Sequence, residues 1–375
     1  MEWLPKFSKL DTEQQDVIRK VLADDKNHFI TGYPGTGKSV VLAHVALQNR
    51  APSAILTYTN SLVACIQEGI RGLNSNANIE VCTIDRYVDQ TPQDKSLLLI
   101  DEAQDIRATN YRGIEVLPKI INSAPKLIFA ADENQSIYSE TLDIQNVLEL
   151  CRVQNSSDCR HKLRINYRMT QATLNVIKAL FPEKMDMDVA TGSLVEDVKV
   201  SRVVSQSSQE EFQWIYKKAQ DVAEPGKPSV ILFKHHASLL SFVETILNFQ
   251  LPQSQTERPD PRKYGQPLND FCKENNYPIR FLGNSIGSFS DSNERAMIYL
   301  MTCHSAKGLD FENVFIPMCE VFEKGEKLFY VAISRSRRRL FLSGVQWAWM
   351  HECLANNTSV TVLNASDVEE DEDLF

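Results

Sequence analysis

Two short stretches carry residue types and spacings suited to phosphate chemistry. Gly32-Tyr33-Pro34-Gly35-Thr36-Gly37-Lys38-Ser39 has the form G-x-x-x-x-G-K-[ST]. In such a loop the glycines let backbone N–H groups close around phosphate oxygens, and the helix that follows adds positive potential at its N-terminus. The lysine reaches the β- and γ-phosphates, and the serine hydroxyl is a ligand for Mg²⁺. Further on, "SLLLIDEAQD" (96–105) delivers Asp101 and Glu102 directly after an apolar run. Asp101 is expected to hold Mg²⁺ through water, and Glu102 to polarise an attacking water. The metal ligands expected here are therefore Ser39 and Asp101. Together the two stretches predict hydrolysis of a nucleoside triphosphate, with Mg²⁺ as cofactor. They do not say what work the hydrolysis drives.

These groups need a scaffold that presents them on one edge. The runs "HFIT", "AILTY", "EVCTI", "SLLLI" and "KLIFAA" read as buried strands, with room for helices or loops between them. That alternation predicts a parallel α/β sheet, whose ligands bind beyond the carboxyl ends of the strands. A second set follows in "SVILF", "AMIYLMT", "NVFIP" and "RLFLS". Two α/β domains are expected, residues 1–165 and 166–362, with an acidic tail at 363–375. The Pro- and Gln-rich stretch 250–270 reads as a loop or linker.

Composition excludes several classes. No apolar run approaches the ~18 residues of a membrane span. The N-terminal "MEWLPKFSKLDTEQQ" has no signal-peptide core, and the eight cysteines form no C-x-x-C pair. These features predict a reducing, cytoplasmic location, no membrane partner, no zinc site and no disulfide framework. The net charge of −9 at first opposes nucleic-acid binding, but six of the acids lie in "SDVEEDEDLF" at the C-terminus, and without them the charge is −3. A local basic groove is compatible with that value.

The motifs in order resemble those of the UvrD/Rep/PcrA group of superfamily 1 DNA helicases. "LDTEQQDVI" resembles the Q motif, "LTYTNSLVACI" motif Ia, "DEAQD" motif II, "ADENQSIY" motif III, "LRINYR" motif IV, "MTCHSAKGLDFENVFI" motif V and "KLFYVAISRSRRRLFL" motif VI. The resemblance spans Leu10 to Leu342, nearly the whole chain. It implies two RecA-like P-loop NTPase domains with the ATP site in the cleft between them. It places Gln14 and Tyr167 on the adenine, and Asp310, with Gly308 nearby, at the ribose. Gln135 and Arg168 would meet the γ-phosphate, with Arg335 as arginine finger. Arg337, Arg338 and Arg339 stay open between solvated surface and phosphate contacts.

On the strand-binding face the same resemblance implies Tyr58, Thr59 and Asn60 in motif Ia, Thr83 after "EVC", Tyr138 in motif III, and Thr302 and His304 in motif V. The sequence departs from the family here. Glu140 stands at the position of a base-stacking tryptophan, Asp85 stands for a histidine, and motif Ia lacks its usual lysine. Only 17 residues separate Thr83 from Asp101, too few for the subdomain that larger members insert there, and residues 250–295 have room only for a remnant of the second. The expected function is an ATP-dependent single-stranded DNA translocase or helicase of 3′→5′ polarity, working with a partner. The alternative is an ATP-gated interaction subunit, in a complex with a nuclease, that switches its partner rather than travels.

Overall fold

Runs such as Leu97–Ile100, apolar at every position, are stable only as strands covered on both faces. The computed structural model describes residues 4–90, 95–132, 135–136, 141–183, 190–191, 196–250, 259–283 and 286–366. It divides into two units. The first ends at Tyr167 apart from a short return near Ala190, and the second begins at Arg168.

The first unit holds β1 (His28–Gly32), β2 (Ser53–Thr57), β3 (Ile79–Thr83), β4 (Leu97–Ile100), β5 (Lys126–Ala131) and β6 (Arg160–Leu163) in the order β3-β2-β4-β5-β1-β6. Every pairing is parallel. Successive residues alternate between two cores. Leu98, Ile100, Phe129 and Ala131 enter one, while Leu97, Leu99, Ile128 and Ala130 enter the other. Helix α1 (Thr12–Ala23) precedes β1, and α2 (Lys38–Gln48), α3 (Asn60–Leu73), α4 (Ile84–Asp89), α5 (Val116–Ile121) and α6 (Ile144–Leu150) lie in the connections between strands. Helix α2 is buried nearly all round, through Val41, Leu42, Ala43, His44, Val45 and Ala46, which makes it the central helix of the layer.

Two-residue strands β7 (Ile165–Asn166) and β8 (Ala190–Thr191) lie near the change of unit. The second unit is a seven-stranded parallel sheet ordered β11-β12-β10-β13-β14-β9-β15. Its strands are β9 (Val200–Ser205), β10 (Ser229–Phe233), β11 (Ile279–Phe281), β12 (Ile298–Thr302), β13 (Phe311–Ile316), β14 (Ser336–Val345) and β15 (Val360–Asn364). Helices α7 (Gln171–Leu180), α8 (Ser208–Val222) and α9 (His236–Leu247) pack with it. Among the described residues no helix is long and apolar enough to cross a membrane.

Three expectations change. Pro261–Glu274 is a helix within the stretch read as loop 250–270; residues 251–258 lie outside the described residues. Pro261 opens the helix, where its missing N–H costs nothing, and Asp260 accepts from the Arg262 amide at 3.1 Å. Pro267 inside it costs about 3 kcal/mol. Tyr264, Leu268 and Cys272 are wholly buried along one face, and at about 1.5–3 kcal/mol for each large apolar side chain their burial outweighs that cost. The last strand runs to Asn364, past the boundary expected at 362, and the acidic residues 367–375 lie outside the described residues. Strands β6, β9, β11 and β15 were not expected, being short or mixed in polarity.

Glu211 on α8 is fully buried, and its Oε1 accepts from Ser343 Oγ at 2.6 Å and the Met318 amide at 2.8 Å. Burial pushes its carboxyl up to about 7, Glu320 adds to the rise, and the two hydrogen bonds oppose it. A carboxyl that is protonated when folded and ionised when unfolded loses stability as pH rises from its ordinary value of 4.5 through about 7. Urea melts should therefore show stability falling between pH 5 and pH 8 by up to about 3 kcal/mol. Glu211→Gln, which keeps the double acceptor, should flatten that slope. An equal slope in the variant would assign the pH dependence elsewhere.

Candidate active site

In a parallel sheet all carboxyl ends lie on one edge. The loop after β1, Tyr58 after β2, Asp101 after β4 and Asp132 after β5 therefore gather there. Gly35 (φ +80°) and Gly37 (φ +85°) take the left-handed conformation that wraps the P-loop, and a Cβ on Gly37 would collide with Gln14 Nε2. Gln14 in turn donates to Thr36 O at 3.0 Å. Gly32 leaves no room either, since a Cβ there would sit 2.6 Å from Thr36 Oγ1. Pro34 lies in the same turn. Lys38 is buried, and its Nζ donates to Gly32 O at 2.7 Å and Tyr33 O at 3.1 Å. The ammonium thus lies folded against the loop that would hold phosphate.

Ser39 Oγ donates to Asp101 Oδ2 at 2.5 Å. Burial pushes the Asp101 carboxyl up to about 6, and Glu102 beside it adds to the rise, against Ser39 and Lys38. A hydroxyl and a carboxylate at this separation are a hard-oxygen pair of the kind that suits Mg²⁺, so the donor set fits the expected metal. Glu102 takes a left-handed backbone (φ 53°) at the end of β4, at a cost of roughly 1–2 kcal/mol for a residue with a Cβ.

Beyond Glu102 runs a chain of hydrogen bonds. Gln104 Nε2 donates to Glu102 Oε2 at 2.5 Å, and Gln104 Oε1 accepts from the Asp132 amide at 3.1 Å. Asp132 Oδ2 then accepts from Gln135 Nε2 at 3.0 Å. Gln135 is only 2% exposed. Gln104 and Asp132 were not among the expected site residues, although they stand inside the quoted motifs. Their role depends on which way β4 and β5 deliver them, and spacing alone does not give that.

Tyr167 belongs to the first unit. Its amide donates to Gly35 O at 2.8 Å, and its hydroxyl bonds to Asp11, the residue that caps α1 through the Gln14 amide. Gln14, Tyr167 and the P-loop are therefore brought together.

Arg168, Gly308, Asp310 and Arg335 lie in the second unit. Asp310 is clamped by Arg168 Nε at 2.8 Å on Oδ2 and Arg337 Nε at 2.6 Å on Oδ1. Burial alone would raise its carboxyl, but Arg168, Arg337 and Arg335 more than offset that and hold it below the usual range. A ribose hydroxyl would have to share an acid already held by two arginines. Arg335 is 1% exposed and donates to Val331 O at 2.9 Å, Leu309 O at 3.0 Å and Ser334 Oγ at 2.8 Å. Its basic run is not one solvated face. Arg337 pairs with Asp310, Arg338 with Glu196 at 3.0 Å, and Arg339 donates to Asn313 Oδ1 at 3.3 Å. Gly308 (φ +82°) turns the chain two residues before Asp310.

On the expected strand face, Tyr58, Asn60 and Thr83 line a groove of about 410 Å³ in the first unit, with Asp85, Arg86, Asp89, Tyr111 and Arg112. Tyr58 is half-buried and also packs on the core. Thr59 and Thr83 have structural duties as helix caps, accepting from the Leu62 amide at 3.2 Å and the Arg86 amide at 3.3 Å. In the second unit Thr302 is buried and bonds Ser305 Oγ at 3.0 Å, while His304 is exposed. Tyr138 and Glu140 lie outside the described residues.

The profile of the Schlafen group 3, DNA/RNA helicase domain matches residues 25–226, more than half of the chain. That of the UvrD-like helicase C-terminal domain matches residues 237–346. A Mycoplasma pneumoniae protein described as "Probable DNA helicase" is 25% identical over 273 residues, which is 66% of this chain and 43% of the relative. This chain therefore spans less than half the length of that protein. Among solved structures, S. cerevisiae Dbp5 bound to RNA and ADP BeF3 has a TM-score of 0.53 at 12% identity, over 98% of this chain and 95% of that one. The Arterivirus nonstructural protein 10 helicase has a TM-score of 0.46 at 14% identity, over 90% of this chain and 63% of that one. The likeness to Dbp5 agrees with two RecA-like domains built on parallel sheets. The chain belongs to the helicases of the Schlafen group 3, DNA/RNA helicase domain type, and its residues 237–346 match a UvrD-like helicase C-terminal domain.

Proposed function

We propose that this chain hydrolyses ATP and uses the cycle to grip and move along a single strand, DNA of 3′→5′ polarity by family resemblance. The observation that carries the reading is the connected set in the first unit. Lys38 lies on its P-loop, Ser39 touches Asp101, and Glu102 is linked through Gln104 and Asp132 to Gln135.

In this reading Lys38 leaves the carbonyls of Gly32 and Tyr33 for the β/γ-phosphates. Ser39 and Asp101 would hold Mg²⁺, which would supply charge neutralisation on the same phosphates. Glu102 accepts a proton from the attacking water, and its bond to Gln104 fixes the carboxylate for that role. Gln135 reports the state of the γ-phosphate along the same hydrogen-bond chain. Gln14 and Tyr167 hold the base. Arg168 and Arg335 bring positive charge to the transferring phosphoryl group, a contribution of about 10³–10⁵ in rate for an arginine finger. Tyr58, Asn60, Thr83, Thr302 and His304 meet the strand.

A second reading, an ATP-gated subunit that switches a partner such as a nuclease, is favoured by Asp85 and Asp89 in the groove. Two carboxylates offset the arginines there and weaken a phosphate track. ATP turnover by the purified chain with and without single-stranded DNA decides between the two. Stimulation supports the motor; indifference to DNA and RNA alike transfers the reading to the switch. Stepping requires less than unwinding, which costs about 1.4 kcal/mol per base-pair step. Without the inserted subdomains, tailed duplexes of a few hundred base pairs should resist displacement by the chain alone at limiting concentration. Efficient displacement would reject that limit.

Lys38→Ala and Glu102→Gln should both abolish turnover, with Glu102→Gln still binding ATP, because the lysine holds phosphate and the glutamate acts on water. Undiminished turnover in Glu102→Gln would remove Glu102 from the mechanism.

Arg335→Ala should lower kcat by about 10³ or more with little change in KM for ATP. Arg335 also satisfies two backbone carbonyls, so Arg335→Gln, which keeps a donor, separates loss of charge from loss of fold. It too should lose turnover while melting near the parent. Tyr167→Ala should do the reverse, raising KM through lost stacking. A change in KM alone for the Arg335 variants would place that residue away from the reacting phosphate.

A further inference from the structure

We infer that Tyr111 and Arg112 form a nucleobase-stacking platform, and that the groove beside them takes the bases of a single strand rather than its phosphates. The inference rests on the strand-binding reading above. It concerns two residues outside every motif quoted for the family.

Tyr111 is 67% exposed, so its ring contributes little to the core. The ring is nevertheless fixed. Its hydroxyl donates to Asp89 Oδ2 at 2.6 Å. The neighbouring Asn110 donates through Nδ2 to Asp89 Oδ1 at 2.8 Å. Asn110 Oδ1 then accepts from the amides of Arg112 at 2.9 Å and Ile114 at 3.0 Å, and Gly113 (φ +75°) completes the turn. Arg112 lies over the ring, with its guanidinium carbon 5.3 Å from the centroid, and its Nε is 3.4 Å from Asp89. A loop built to hold a tyrosine in solvent has no evident purpose in folding. It has one in binding, because a ring fixed beforehand gives up little entropy when a base stacks on it.

The groove's charge selects what is bound. Arg86 and Arg112 are matched by Asp85 and Asp89 along the lining, so the groove lacks the excess positive charge of a phosphate track. What it offers is an aromatic face, an arginine plane and carboxylate acceptors for base amino groups. Stacking is tolerant of sequence, since every base has a π-face. The volume of about 410 Å³ lies within the roughly 300–1,000 Å³ of small-molecule pockets. Asn60 and Thr83, expected on the strand from motif resemblance, border the same groove.

The test measures equilibrium binding of the full chain to three labelled oligomers of equal length: oligothymidylate, oligouridylate and an abasic sugar–phosphate strand. The parent should bind the better of the two base-bearing strands about tenfold or more tighter than the abasic one, and the preferred sugar identifies DNA or RNA as the natural strand. Tyr111→Ala should weaken base-bearing strands by about tenfold or more and leave the abasic strand unchanged. Tyr111→Phe, which keeps the ring and loses the tether to Asp89, should bind base-bearing strands with an affinity between those of the parent and Tyr111→Ala. Equal binding of base-bearing strands by parent and Tyr111→Ala, or equal weakening on all three strands, would overturn the platform while leaving the strand-binding reading intact. No binding of any strand by the parent, with no stimulated turnover, would defeat both.

Discussion

The contact of Ser39 with Asp101, at 2.5 Å, sets the constraint on which the first unit depends. The two residues follow different strands, β1 and β4, with β5 lying between those strands in the sheet. They meet only if all three strands run the same way and end on the same edge. Parallel pairing requires a crossover after each strand, and the crossovers supply the helices that cover both faces. Leu97 to Ile100 can therefore be apolar at every position. Their burial on two faces fixes the strand that carries Asp101 and Glu102. Core and site are not separate problems here, because one parallel register solves both.

The second unit uses charge where the first uses backbone. Asp310, half-buried, stays ionised because Arg168 and Arg337 hold it from two sides. An unpaired carboxylate there would take up a proton or cost several kcal/mol in desolvation. Arg335 solves the matching problem with carbonyls, donating to Val331 O and Leu309 O. The sequence "SRSRRRL" thus contains arginines in four settings: one buried on backbone, one clamping an acid, one paired with an acid and one on an amide oxygen. A basic run read by composition alone has none of these distinctions.

What was legible follows from how local each signal is. The P-loop is a contiguous stretch whose glycines answer a requirement for positive φ, and Gly35 and Gly37 take it. The placement of Asp101 and Glu102 was legible because an apolar run closing on two acids reads as a buried strand and its end. Strand β6, "RHKL", was not, because an edge strand with polar residues lacks the apolar signature. The helix Pro261–Glu274 was hidden by two prolines, although Tyr264, Leu268 and Cys272 stand at helical spacing. Glu211 was invisible as a buried acid, since nothing in "SQEEFQ" says which glutamate faces inward. Tyr111 carries no sequence signal for a related reason. Its meaning lies in Asp89, twenty-two residues away, and only the fold brings them together.

The segment that follows β4 joins the two halves of the proposed activity. Within fifteen residues it carries Asp101, Glu102 and Gln104 at the phosphate side, then Tyr111 and Arg112 at the groove. Between them Ile106 O accepts from the Leu142 amide at 2.7 Å, and Arg107 bridges Thr141. The segment is thus pinned to the chain beyond Gln135, which the Glu102–Gln104–Asp132 bonds already reach. Coupling between two sites needs a connected element with discrete arrangements. A stacked base would bear on one end of the segment while a phosphate would bear on the other. In the proposed activity, the physical means for a strand to alter ATP turnover would then be a single loop, held by polar contacts inside one unit.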